Sequence, residues 1–334
     1  MKVCIVGAGA IGGFLGTRLA TAGAAEVSAL ARGATLAALR THGWRLAQQG
    51  ALLTAPAHAS DSAAELGVQD AVFIAVKGPA LPALAPSLSP LIGPDTLVVP
   101  AMNGVPWWFS GTIPALGDTP LESVDPGGHT AKTIPLAQVI GCVIHASTAT
   151  SEPGLTTHRM GQGLIVGEAA GGNSERVRRL GEMLTRGGFE VTCSPRVRYD
   201  IWYKLWGNMT ANPVSALTGA TMDRILDDDL VRKFCTDAMR EAAAIGDKIG
   251  CGVNQTPDDR HVITRKLGAF KTSMLQDAEA GRMIELDSIV GAAREIGQRV
   301  GVPTPTIDAL FGLTRLFGRV HGLYPPAAQA APLR

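Results

Sequence analysis

The sequence predicts an α/β domain followed by an all-helical one, and three observations carry that reading. A β-branched run at residues 2–6 leads straight into a glycine-rich turn and a helical apolar pattern. Strand and helix patterns then alternate as far as residue 196. From residue 199 onward the β signals stop and only helical spacing remains. The 334 residues are enough for two separate cores, so domains are expected at 1–196 and 197–334.

Composition narrows the function classes. With 46% hydrophobic and 18% charged residues the chain reads as globular and soluble. A formal net charge of +1, with no Lys/Arg run, argues against a nucleic-acid partner. The five cysteines are odd in number and never spaced C-x-x-C, which points to a reducing compartment and offers no zinc site. The N-terminal apolar stretch is broken by Gly7, Gly9, Gly12, Gly13 and Gly16, so it makes a poor signal peptide. No apolar run reaches membrane-spanning length, and a cytoplasmic protein with no membrane partner is expected.

The element that organises the first domain is G7-A-G9-A-I-G12, with a strand before it and a helix after it. In that context Gly7 permits the tight turn, Gly9 lets a pyrophosphate approach the backbone, and Gly12 lets helix and strand pack closely. The helix N-terminus then faces the anion. The motif identifies a Rossmann-type dinucleotide-binding domain, with Gly7, Gly9, Ala10, Ile11 and Gly12 against the cofactor. The second strand, 27–31, ends at Arg32. An acidic residue there would suit a ribose 2′-hydroxyl, whereas an arginine suits a 2′-phosphate, so NADP(H) is the expected cofactor.

Residues 43–53 read as a hairpin or a pair of short strands, and 70–76 and 96–100 as buried strands that end at Lys77 and just before Asn103. Ligands of open α/β sheets bind beyond the carboxyl ends of the strands, where both residues fall. A crossover helix is expected over 80–91, interrupted by Pro82 and Pro86. Residues 106–135, rich in Gly and Pro and carrying Trp107 and Trp108, form a long excursion, with the tryptophans expected to pack. Strand 139–146, a hairpin over 154–167 turning around Gly161 and Gly163, a helix at 174–186 and a strand at 189–193 complete the domain.

In the second domain helices are expected at 228–248, 261–279, 283–299 and 306–319. Its first helix holds the most telling stretch, YDIWYKLWGNMTANP at 199–213. Lys204, Asn208 and Asn212 recur every four residues, each step advancing about 40° around a helix, so one ammonium and two amides share a stripe. Ile201, Trp202, Leu205, Trp206 and Met209 make the rest of that helix a buried one, and a polar stripe through it needs partners or a ligand. A satisfied polar network would read the same way. Pro213 is expected to leave Asn212 at a frayed or kinked helix end.

Taken together, GAGAIGG, Arg32, Lys77-Gly78, Asn103-Gly104, K-x-x-x-N-x-x-x-N-P at 204–213, and SMLQD at 273–277 followed by Glu285 resemble the ketopantoate reductases over nearly the whole chain. The resemblance implies NADPH-dependent reduction of a small-molecule 2-oxo acid, 2-dehydropantoate, to pantoate, a coenzyme A precursor. It implies Lys204 as general acid and Glu285 as the carboxylate completing the catalytic pair. It further implies Asn208, Asn212 and Ser273 on the substrate, Lys77 and Asn103 beside the nicotinamide and ribose, and Asn103 also within reach of substrate; no metal is expected.

The chemistry suits those types. Hydride addition to a C2 ketone leaves an alkoxide that needs a proton within hydrogen-bond reach, and amides and hydroxyls orient a keto acid without adding charge. Ser273 and Glu285, twelve residues apart, would lie about 120° apart on one helix, so a break at Gly281 is expected between them. Asp277 and Glu279 are the competing carboxylates. Two features depart from the family: the long excursion, and Met222 where some members place a substrate-contacting Asn. They put the substrate in doubt more than the reaction type and leave open a different 2-oxo or imino acid. A non-catalytic NADP-binding sensor is a separate rival, and the retention of every polar group the chemistry needs argues against it. A homodimer is also left open.

Overall fold

The computed structural model describes residues 1–326. In chain order its first unit carries β1 (Lys2–Val6), α1 (Ala10–Thr21), β2 (Glu26–Leu30), α2 (Gly33–His42), β3 (Trp44–Gln48), β4 (Ala51–Ala55), β5 (His58–Ser60), α3 (Ala63–Leu66), β6 (Gln69–Ile74), α4 (Leu81–Leu84), β7 (Ile92–Pro100), α5 (His129–Thr133), β8 (Ile140–Glu152), β9 (Leu155–Glu168), α6 (Glu175–Arg186) and β10 (Glu190–Cys193). This unit comprises Met1–Thr112 and Asp125–Ile201. The helices α7 (Val197–Thr218), α8 (Met222–Asp227), α9 (Asp229–Lys248), α10 (Pro257–Arg265), α11 (Ser273–Glu279), α12 (Ala292–Arg299) and α13 (Pro305–Val320) follow. Among the described residues the second unit comprises Ile113–Val124 and 202–326.

Two sheets build the first unit. One is parallel with strand order β5-β2-β1-β6-β7, the arrangement of a Rossmann-type half, with Val6 in register with Leu30 on one side and Ile74 on the other. The other runs β10-β9-β3-β4, with β8 antiparallel to β9. Helix α1 packs on both, and its glycines explain how. A Cβ on Gly12 would collide with the Gly7 carbonyl under the first sheet, while one on Gly13 or Gly16 would collide with Thr156 or the Trp44 ring of the second. Phe14, Leu15, Trp44, Leu46, Leu164 and Leu180 share the resulting core.

Several local expectations needed correction. The stretch 154–167 is no hairpin: it is the single strand β9, the chain reversing instead between Glu152 and Leu155. Gly161, with φ +75°, marks a bulge opposite the His145 carbonyl, which is why it imitated a turn. Three prolines, Pro82, Pro86 and Pro90, reduce the 80–91 crossover to tight turns around the four-residue α4. The 261–279 segment is two helices, α10 and α11, with Gly268 at φ +63° between them. The excursion is a series of short turns ending in the five-residue α5, its tryptophans are buried, and its middle, Ile113–Val124, belongs with the second unit.

Helix α7 also continues five residues past Pro213, so Asn212 sits inside it and not at its end. An internal proline costs a helix roughly 3 kcal/mol. Here Val214, Ser215 and Ala216 are all buried beyond it, and that burial outweighs the local preference. Among the described residues no helix is long and apolar enough to cross a membrane, and no group of three or more His, Cys, Asp or Glu is placed to hold a metal ion.

Candidate active site

In the first unit the expected cofactor residues follow the carboxyl ends of four neighbouring strands. Backbone bonds lace those ends together: Gly7 N–H to the Leu30 carbonyl at 3.0 Å, Ala75 N–H to Val6 at 2.9 Å, and Ala101 N–H to Ile74 at 2.8 Å. At the spacing of adjacent strands, the ends of β2, β1, β6 and β7 form a row roughly 15 Å long. Arg32, exposed, is the N-cap of α2; Lys77 and Asn103, half-buried, follow β6 and β7. The structure thus brings Gly7, Arg32, Lys77 and Asn103 to one sheet edge, the edge at which such sheets bind ligands.

The turn fits a dinucleotide. Gly7 has φ +89°, a backbone that only glycine adopts without strain. A Cβ at Gly9 would meet nothing within 4 Å, so space is open there, whereas Gly12 is closed against Gly7. The first turn of α1, from Ala10 and Ile11, has neither a side-chain cap nor an acidic residue. Its backbone donors and its dipole are therefore left for an anion. Asn103 lines a small crevice together with Met102, Gly104, Trp108, Cys142 and Ile201.

In the second unit Lys204, Asn208 and Asn212 lie on consecutive turns of α7. Trp202, Leu205, Trp206 and Met209 anchor the helix in the core, with Trp206 Nε1 donating to the Met239 carbonyl at 2.7 Å. Lys204 and Asn208 are half-buried. Asn212 is only 4% exposed, and its Nδ2 has no hydrogen-bond partner. A buried amide donor left unmade costs about 1–3 kcal/mol, so the position is retained at a cost to stability. A ligand oxygen would recover that cost.

Ser273 opens α11, exposed, after the N-cap Thr272, whose hydroxyl accepts from Leu275 N–H at 3.2 Å. Helix α11 ends at Glu279, Gly281 takes φ +64°, and the half-buried Glu285 lies in the link that follows. The break at Gly281 therefore separates Ser273 from Glu285, although the next helical residue is Leu286, later than the expected 283. Asp277 and Glu279 are committed to ion pairs with Arg282 at 2.9 Å and Lys271 at 2.6 Å.

One residue escaped sequence reasoning. The Arg260 guanidinium lies on α7 at Gly207, 2.9 Å from where a Cβ would be, and 4.7 Å from the Tyr203 ring centroid. Its Nε is buried without a hydrogen-bond partner. It borders a small pocket lined also by Thr210, Met222, Met239 and His261. A guanidinium bordering a pocket suits a carboxylate, although that pocket takes Gly207, Thr210 and Ala211 from α7 and none of Lys204, Asn208 and Asn212. The one signal was Gly207, a gap in an otherwise bulky helix.

A family model described as "Ketopantoate reductase PanE/ApbA" matches residues 3–171, and one described as "Ketopantoate reductase PanE/ApbA C terminal" matches residues 196–317. The chain belongs to the ketopantoate reductase family. A 2-dehydropantoate 2-reductase from Mesorhizobium japonicum is 42% identical over 97% of this chain and 100% of its own. A crystal structure from Ralstonia solanacearum MolK2, assigned as a ketopantoate reductase, is 54% identical with a TM-score of 0.92, covering 96% of this chain and 99% of that one. D-mandelate dehydrogenase, solved with NADH and anilino(oxo)acetate, shares the fold: TM-score 0.83 at 20% identity, over 97% and 100% of the two chains. This ketopantoate reductase family member is accordingly a dinucleotide-dependent oxidoreductase of the 2-dehydropantoate 2-reductase type.

Proposed function

We propose that the chain reduces 2-dehydropantoate to pantoate with NADPH, on the route to pantothenate and coenzyme A. The observation that carries this reading is the polar stripe of α7, where a lysine, an amide and a buried amide whose Nδ2 has no partner interrupt an otherwise apolar helix. The full-length relative from Mesorhizobium japonicum carries the same activity in its name.

When bound, NADPH would supply the hydride that C2 accepts. Lys204 donates the proton to the oxygen that becomes the C2 hydroxyl, and Glu285 supports the lysine in its charged form. Asn208, Asn212 and Ser273 orient the keto acid, Asn212 by satisfying its own Nδ2–H on a substrate oxygen. Gly7, Gly9, Ala10, Ile11 and Gly12 hold the pyrophosphate, Arg32 the 2′-phosphate, and Lys77 and Asn103 the nicotinamide end. The chain acts in the cytoplasm; a relative from Staphylococcus aureus is dimeric, and the same state is proposed here.

A second reading keeps this chemistry and changes the acid. The apolar Met222, buried beside the cavity at Arg260, favours it. Cofactor oxidation followed with 2-dehydropantoate, other branched 2-oxo acids and an aryl 2-oxo acid, each with NADPH and NADH, separates the two. The first reading expects the highest kcat/KM on 2-dehydropantoate with NADPH. A higher value on another acid replaces the substrate assignment, equal use of NADH removes the role given to Arg32, and binding without oxidation on every acid leaves a sensor.

A further inference from the structure

The link that carries Glu285 is pinned from the far end of the chain. On its N-terminal side, Ile284 N–H donates to the Leu323 carbonyl at 2.9 Å. On its C-terminal side, the Tyr324 hydroxyl donates to Asp287 Oδ1 at 2.7 Å. Both partners come from the turn after α13, which is itself fixed: Leu323 N–H bonds the Gly318 carbonyl at 2.6 Å, and the Leu323 side chain is 4% exposed.

Packing closes the same unit. Gly318 lets the turn and the link meet over α13, since a Cβ there would lie 2.7 Å from Tyr324 Cβ and 3.3 Å from Ile284 Cδ1. Ile284 and Leu286, flanking Glu285, are buried and cannot swing. Directly after Leu286 the chain makes a π-turn over Asp287–Gly291, a geometry rare in helices and concentrated at functional sites. Burial pushes the Tyr324 hydroxyl well above its ordinary pKa, with Asp287 adding to the effect, so Tyr324 remains the donor across the working pH range.

We propose that Leu323 and Tyr324 form a clamp that sets the reach of Glu285, making Tyr324 a positioning residue for the reduction. The inference rests on Glu285 being the catalytic carboxylate. The role proposed for Tyr324 is indirect, exerted through Asp287 and the backbone on either side of Glu285.

The test is a double-mutant cycle on the full-length enzyme with Tyr324→Phe, Glu285→Gln and the pair. Tyr324→Phe removes one hydroxyl and is expected to lower kcat on the 2-oxo acid roughly 10-fold to 100-fold through misplacement alone, with cofactor Kd and melting temperature near wild type. In the Glu285→Gln background the same change is expected to cost less than about twofold, because the positioned group is gone. Asp287→Asn keeps an acceptor for Tyr324 and retains most activity, whereas Asp287→Ala matches Tyr324→Phe. Equal losses from Tyr324→Phe in both backgrounds, unchanged kcat, or a loss that tracks melting temperature each overturn the clamp while leaving Glu285 catalytic. Full activity of Glu285→Gln overturns the catalytic assignment, and the clamp with it.

Discussion

Ser123 gives both its backbone N–H and its hydroxyl to Glu295 Oε2, at 2.8 and 2.6 Å. Oε1 takes the Glu122 N–H at 3.0 Å and an Arg299 contact at 2.5 Å, while Arg299 also donates to the Thr119 and Pro120 carbonyls at 2.7 and 2.5 Å. One carboxylate and one guanidinium on α12 therefore tie down the strap Ile113–Val124. Burial alone would raise the Glu295 pKa, but the Ser123 and Glu122 donors and Arg299 together hold it below the usual value. Its contribution to stability is complete above the unfolded glutamate pKa of about 4.3 and is lost as pH falls through the lower folded value. Glu295→Gln should cost roughly 1–3 kcal/mol at neutral pH. The gap between variant and wild type should narrow in acid, as melting temperatures measured from pH 7 to pH 3 will show; a constant gap contradicts the assignment.

Gly9 and Gly12 separate binding from folding. Gly9 has an extended backbone and open space around its missing Cβ, so Gly9→Ala should fold with a melting temperature within a few degrees of wild type. It should nonetheless bind the dinucleotide at least about 10-fold more weakly, since the methyl occupies the phosphate approach. Gly12→Ala meets a backbone carbonyl that cannot move aside and should cost roughly 3 kcal/mol or more. Dye-monitored melting and cofactor titration of the two variants read both effects, and similar behaviour of the pair would refute the distinction.

Lys204→Ala should reduce turnover by roughly 10²- to 10⁴-fold, the range typical for loss of a general acid. Cofactor affinity, which the proposal assigns to residues at the strand ends of the other unit, should stay within about twofold of wild type on that division of labour. Steady-state kinetics together with a direct cofactor titration check both halves, and wild-type turnover would remove Lys204 from the mechanism.

Arg260→Met should raise KM for the 2-oxo acid by about 10-fold, the value of a charge-assisted hydrogen bond, with a smaller effect on kcat. Gly207→Ala should do the same by displacing the guanidinium that lies on it. A KM unchanged in both would confine Arg260 to its stacking on Tyr203.

Features with local signatures were legible in the sequence. The turn at Gly7 and the four-residue spacing from Lys204 to Asn212 each depend on neighbours in the chain, and the strand ends at Arg32 and Lys77 follow from β-branched runs. Long-range features had no such signature. Nothing near Ser123 announces a carboxylate 172 residues away, and Gly207 signals a close approach without naming Arg260. At Gly161 and Pro213 the local rule pointed elsewhere and tertiary packing prevailed, through the pairing of β9 along β8 in one case and the buried turn after Asn212 in the other.

The strap also constrains when the protein can finish folding. Its donors and their acceptor are 173 positions apart at Glu122, so during synthesis Ile113–Val124 emerges long before the residue that binds it. Closing so large a loop is entropically slow and adds to the contact order of the chain. The first unit can assemble its sheets while the strap waits. Docking of that segment is therefore a late step, completed only after α12 has left the ribosome.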